Sequence, residues 1–378
     1  MRIESSDTFD APADAVFAIM SEPEFQAEKI ATTSDLGGPS SVRTAGDRTL
    51  LHAERSYSSA VLPEVARRFV GETLTIVEDQ NWGPADAAGN LRRGRPRMEW
   101  FDETLHAGWR QSIKVGEVLF RDRTEHQDLI VFESADWGRV LALDGVVQTT
   151  TGDEFCYHEM IVHVPILAHG AAREVLIIGG GDGGCLREAL KHEAVTRVTQ
   201  VEIDAGVIEL CRRWLPTLSD GAFDHPKARV VIADGARFAA ECLDRFDVVI
   251  VDSTDPQGPG AVLFTTPFYR DVRRLLNPGG IMATQCGNPS IRPEELVDTQ
   301  AAQAAAGFAQ VDYYLTVVPT YIGGGMALGF ASDDPEAREA SAAELRRRGV
   351  PAGLRYYTPE MHVGAFAHPA WMIERVGR

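Results

Sequence analysis

A doubly wound, mostly parallel α/β sheet is the architecture the chain predicts, preceded by a small antiparallel β-domain and an extra N-terminal α+β segment. Three observations carry that expectation. Apolar runs of buried-strand length recur from Glu174 onward, glycine loops and helical stretches separate them, and shorter strand-like runs with polar turns come before them.

Residues 1–82 mix helix and strand signals. Asp10-Ala11-Pro12 reads as a helix entry, with Val16, Ile19 and Met20 as its apolar positions, and Glu72 to Val77 alternates like a half-buried strand. Residues 83–97 read as a linker, because Gly83-Pro84 and Gly89-Asn90 are turn formers and Arg92, Arg93, Arg95 and Arg97 repel one another. In the next segment, 98–155, Val118-Leu119-Phe120, Leu129 to Phe132 and Arg139 to Leu143 predict a small antiparallel sheet. The remainder, 156–378, holds the strand–loop–helix alternation. Its strands are Val175 to Ile178, Val198 to Val201, Val230 to Ile232 and Val248 to Val251, with helices on both faces. The alanine-rich stretch 301–306 predicts an ordinary helix.

Composition narrows the class. Hydrophobic residues make up 44% and charged residues 24% of the 378, which predicts a folded globular chain. The net charge of −18 would repel nucleic acid and draw in small cations. No apolar run approaches the roughly 18 residues of a membrane span, so no membrane partner is expected. The five cysteines form no Cys-x-x-Cys pair and the first residues lack an export pattern, which together predict a reducing, cytoplasmic setting.

Chemistry gathers where the strands end. In open α/β sheets ligands bind outside the carboxyl ends of the strands. Those ends read Gly179 to Gly184 with Asp182 inside, Glu202-Ile203-Asp204, Asp234-Gly235, and Asp252-Ser253-Thr254-Asp255-Pro256. Six carboxylates on one crest would repel one another unless a cation lies among them. Gly179, Gly181 and Gly184 fit Gly-x-Gly-x-x-Gly, a pattern shared by dinucleotide oxidoreductases and adenosylmethionine enzymes. Asp182 opposes a pyrophosphate at the helix start and suits a sulfonium or an alkylammonium. Glu202 stands where an acid accepts from ribose hydroxyls, and Asp234 where an adenine amino group could be read. Each could instead be a plain cap or a surface turn; the set points to a nucleoside site. Asp252 and Asp255 can hold a cationic amine and take its proton, as amine transfer chemistry demands. A zinc reading of His158-Glu159 fails, because His163 lies five residues on, roughly 140° round a helix, where a chelating pair needs i, i+4. No Gly-x-Ser-x-Gly supports a serine hydrolase.

From about Trp100 to Met372 the chain resembles the spermidine synthase (polyamine aminopropyltransferase) family. The likeness runs through Thr104-Leu105-His106, His126 to Leu129, Leu143 to Gln148, Asp153 to Met160, the glycine loop, Asp252 to Pro259, Pro319-Thr320-Tyr321 and Arg355 to Pro359. It implies a methyltransferase-like, Rossmann-type catalytic domain that moves an aminopropyl group from decarboxylated S-adenosylmethionine, a co-substrate, to putrescine or a related diamine. No metal or other cofactor is implied. The resemblance makes Asp252 the general base, and it places Tyr157, Ser253, Thr254, Asp255 and Tyr321 with Asp252 on the acceptor. It places Gln127, His158, Asp182, Glu202, Asp234, Gly235 and Pro259 on the donor, and it implies a homodimer or homotetramer. Residues 1–97 are additional to the family. They resemble START-like (helix-grip) proteins through Phe9 to Phe17 and Ala66 to Glu72, without the long closing helix of that fold. Two other functions fit parts of the chain: an amine N-methyltransferase using intact S-adenosylmethionine, and a non-catalytic polyamine or lipid sensor built on the N-terminal segment.

Overall fold

The computed structural model describes residues 22–34, 36–45, 48–58, 73–82, 94–95, 100–106, 108–256 and 258–376. The chain divides into two compact units, Met1–Glu99 and Trp100–Arg378.

In the first unit the helix Pro23–Thr33 accompanies an antiparallel sheet of β1 (Ser40–Ala45), β2 (Arg48–Ser58), β3 (Thr73–Trp82) and β4 (Gly94–Arg95). Ile30 of the helix packs with Leu51 and Ala53 of β2, so the apolar stripe of one element covers that of the other. The strand expected from Glu72 is β3, which starts at Thr73. The helix entry at Asp10 lies outside the described residues, as does most of 83–97. The linker expectation needs correction at one point: Gly94 and Arg95 pair with Trp82 and Asn81 as a short fourth strand.

The second unit opens with the hairpin β5 (Trp100–His106) and β6 (Trp109–Lys114). An antiparallel sheet follows, of β7 (Glu117–Arg123), β8 (Asp128–Ser134), β9 (Gly138–Leu143) and β10 (Val146–Thr150), in the order β10-β9-β8-β7. Asp144 and Gly145 both take positive φ, 48° and 81°, which is the two-residue turn that a hairpin twist favours.

The central sheet has the order β13-β12-β11-β14-β15-β17-β16. Its strands are β11 (Glu174–Gly179), β12 (Arg197–Glu202), β13 (Ala228–Ile232), β14 (Phe246–Asp252), β15 (Leu276–Gln285), β16 (Gln310–Val317) and β17 (Gly325–Ser332). Pairings from β13 to β15 are parallel, and β17 pairs antiparallel with both β15 and β16. Side chains alternate between the two faces. Val175, Ile177, Val248 and Ile250 enter one core with the helix Phe155–His169, while Leu176, Ile178, Val249 and Val251 enter another with the helix Thr266–Leu275. A strand buried on both faces reads as a continuous apolar run, which explains the absence of polar alternation in these segments. The chain runs outward from β11 through β12 to β13 and then returns to β14 on the other side. That reversal opens a crevice at the carboxyl ends of β11 and β14.

Candidate active site

The crevice is a cavity of about 490 Å³. It is lined by Gln127, Tyr157, His158, Asp182, Glu202, Asp234, Gly235, Asp252, Ser253, Thr254, Asp255 and Tyr321, so the residues expected on donor and acceptor share one chamber. Pro259 falls in the short 3-10 helix Gly258–Phe264; its side chain lies outside the described residues.

Backbone shape at the end of β11 makes room for this. Gly179 takes φ 88°, and a Cβ there would stand 2.0 Å from the Asp252 carbonyl oxygen, so only glycine lets β11 and β14 close together. At Gly184 a Cβ would meet the His158 ring at 2.3 Å. Gly184→Ala is expected to push His158 off Asp182 while the sheet stays intact. Donor binding by calorimetry should weaken at least tenfold with unchanged far-ultraviolet circular dichroism; equal affinity would show that the ring yields freely.

Asp252 ends β14 with both oxygens engaged. Tyr157 donates its hydroxyl to Oδ1 at 2.8 Å, and the Cys185 thiol donates to Oδ2 at 3.1 Å. Burial raises the Asp252 pKa and the nearby Asp182 raises it further, while His158, Cys185 and Tyr157 pull it back. Burial also raises Tyr157 and Tyr321 well above the ordinary phenol range, which keeps both as hydroxyl donors. Their rings stand 5.9 Å apart, and Tyr321 donates to the Gln148 carbonyl at 2.8 Å. Ser253 leaves a buried hydroxyl with no hydrogen-bond partner among the described residues. Burial raises Asp255 as well, with Arg292 opposing.

His158 sits between two carboxylates. Its Nδ1 meets Glu154 Oε2 at 2.6 Å and its Nε2 meets Asp182 Oδ2 at 3.3 Å. Burial disfavours charge on the ring, but the two acids outweigh it and hold the pKa well above the usual histidine value. Glu154 also accepts from Arg187 at 2.8 Å; burial alone would raise its carboxyl, yet these two cations bring it down to about 2. Asp182 turns its other oxygen to the Gly184 N–H at 2.7 Å.

Glu202 is pushed up to about 7, by burial first and then by Asp204 and Asp252, against the opposing N–H bonds of Asp204 and Ile203. Asp234 caps the helix Gly235–Glu241 through the Arg237 N–H at 2.9 Å and still faces the cavity, so cap and site are the same residue. Asp204, counted on the crest from sequence, is spent elsewhere. It caps the helix Ala205–Trp214 through Gly206 and accepts from Thr124 and from the Gln127 amide at 3.0 Å. Two residues of the rejected zinc reading have other partners too: Glu159 accepts the N–H groups of Arg355, Tyr356 and Tyr357, and His163 faces Glu188 and His192.

Sequence reasoning missed Glu103, Glu154 and Cys185. Glu103 lines the cavity, accepts from Gln111 at 2.8 Å, and is raised to about 7 by burial. Glu154 was findable, since it lies four residues before His158 on one helix and so on its face. Cys185 was not, because its partner Asp252 is 67 residues away.

Residues 154–341 match the model of the spermine/spermidine synthase domain and residues 99–151 that of the spermidine synthase tetramerisation domain. Residues 4–100 match a family described as a protein of unknown function, DUF2505. Polyamine aminopropyltransferase 1 of Pseudomonas aeruginosa is 52% identical over 283 residues, covering 74% of this chain and 99% of the relative. The polyamine aminopropyltransferase of a Ruegeria species is 53% identical over 275 residues, covering 72% and 96%. Among solved structures, a spermidine synthase in complex with the transition state analogue AdoDATO superposes with a TM-score of 0.71 at 35% identity, over 76% of this chain and 98% of that one. The spermidine synthase of Thermotoga maritima gives 0.69 at 35% identity, over 76% and 97%. A chain that is half identical to curated aminopropyltransferases along almost their entire length, and that superposes on a solved spermidine synthase, belongs to the spermine/spermidine synthase family.

Proposed function

We propose that the protein moves the aminopropyl group of decarboxylated S-adenosylmethionine to putrescine, giving spermidine and methylthioadenosine. One observation carries this: the Asp252 carboxylate, oriented by two donors, opens into the same cavity as the Asp182–His158 pair.

An alkylamine is protonated near neutral pH, its pKa being close to the roughly 10.4 of lysine, and it attacks only when neutral. Asp252 takes a proton from the acceptor ammonium. The freed lone pair attacks the aminopropyl carbon next to sulfur, the C–S bond breaks, and its electron pair stays on sulfur as a neutral thioether. The leaving group is thus already supplied, and holding both substrates in line provides much of the acceleration. Tyr157, Tyr321, Asp255 and the unpaired Ser253 hydroxyl position the diamine. Asp182 faces the donor's ammonium, Glu202 its ribose, and Asp234, Gly235, Gln127 and Pro259 its adenosine. Two cations entering the cavity favour the ionised forms of Glu202 and Glu103, which burial alone disfavours.

The match over residues 99–151 supports a homodimer or homotetramer. Among the described residues no helix is long and apolar enough to cross a membrane, and the five free thiols fit a reducing compartment such as the cytoplasm.

A panel of acceptors offered with decarboxylated and with intact S-adenosylmethionine tests the reading, on the full chain and on one starting at Met98. Spermidine from putrescine and the decarboxylated donor is the expected product of both chains, because the synthase-domain models match residues 99–151 and 154–341. Methylated amine from the intact donor would sink the proposal. Loss of turnover in the shortened chain alone would assign residues 1–97 a part in catalysis.

A further inference from the structure

The Asp252 carboxylate belongs to a set of donor atoms whose thiol member amine transfer does not require. A ring nitrogen of His158, Cys185 Sγ and a carboxylate oxygen of Asp252 all lie within 4.8 Å of one another. Cys185 Sγ is 3.1 Å from Asp252 Oδ2, and His158 Nε2 is 3.3 Å from Asp182 Oδ2. Two ligand atoms on one tetrahedral zinc, each about 2.0–2.3 Å from the ion, stand roughly 3.3–3.7 Å apart. The Cys185–Asp252 pair therefore already has nearly the separation that one ion would impose.

A second feature points the same way. The far ring nitrogen of His158 is held by Glu154 at 2.6 Å, and Glu154 is in turn held by Arg187. A carboxylate on the distal nitrogen is the outer-shell arrangement that orients metal-binding histidines and strengthens them as ligands. The set mixes thiol, imidazole and carboxylate, which suits zinc and cobalt over magnesium or calcium.

We infer that His158, Cys185 and Asp252 form an inhibitory site for a soft divalent cation such as zinc. Binding releases the thiol proton and the imidazolium proton to solvent, leaving thiolate and neutral imidazole on the ion. Entry is from the cavity, which Asp252 and His158 line, and the buried Cys185 thiol is reached through its contact with Asp252. An ion there occupies the base, so transfer stops. The binding stands on geometry alone; the inhibition rests on the aminopropyl-transfer reading.

Cobalt(II) titrated into the substrate-free full chain tests the site without turnover, because a thiolate–cobalt bond gives a charge-transfer absorption in the near ultraviolet. A saturable one-to-one band is expected. Cys185→Ser and Cys185→Ala should both lose it while keeping the wild-type circular dichroism, and Glu154→Gln should need about 10–100-fold more cobalt. Zinc should displace cobalt and inhibit spermidine formation over the same range. Should either Cys185 variant misfold, the Glu154→Gln shift still decides the case. A band that persists in folded Cys185 variants, an unshifted Glu154→Gln titration, or no band in the wild type overturns the inference. A failed function reading looks different: the band appears as described, but metal-free protein makes no spermidine.

Discussion

Asp252→Asn should lower kcat by about 10²–10⁴-fold, the usual contribution of a positioned proton acceptor, while leaving donor affinity within a few-fold of wild type. The amide keeps the size of the carboxylate and one acceptor oxygen for Tyr157 or Cys185, but it cannot take the ammonium proton. Steady-state kinetics with a separate donor-binding isotherm divides the two effects, and undiminished kcat would remove Asp252 from the chemistry. The pH profile follows from the same residue. Burial and Asp182 hold its pKa above the ordinary carboxylate range, so the base becomes protonated, and the rate declines, already above that range as pH falls. Tyr157→Phe removes a donor that favours the ionised form and should move this acid limb to still higher pH.

Asp182→Asn should cut kcat/KM for the donor by about 10- to 150-fold, corresponding to the roughly 1.5–3 kcal/mol of a hydrogen bond to a charged group. The substitution removes the acid proposed to face the donor's ammonium and one of the two acids on His158. It also removes a negative charge that raises the Asp252 pKa, so the acid limb should move to lower pH, opposite to Tyr157→Phe. A merely structural role for Asp182 would lower stability without moving that limb. An unchanged donor KM with an unmoved limb would contradict the assignment.

The central sheet was legible because β11, β12 and β14 are buried on both faces, and burial on both faces writes itself as an unbroken apolar run. The acids of the site were legible for a related reason. They end successive strands, and parallel strands bring their carboxyl ends to one edge regardless of sequence separation. Gly94 and Arg95 show the limit: a two-residue strand among turn formers and like charges has no period to detect. Asp204 shows another, since a carboxylate at a strand end can cap the next helix instead of facing the cavity.

The amino-acid order alone determined the parallel sheet, the glycine loop and the gathering of carboxylates at its crest, because each depends on local pattern and on where strands stop. Only the tertiary structure decided how those acids are kept. The pairing of Cys185 with Asp252, of Asp182 with His158, and the burial that raises Glu103 and Glu202 all join elements distant in the chain. A pKa depends on what surrounds a group in space, and the helix Phe155–His169 acquires those surroundings only when it packs against β14 and the glycine loop.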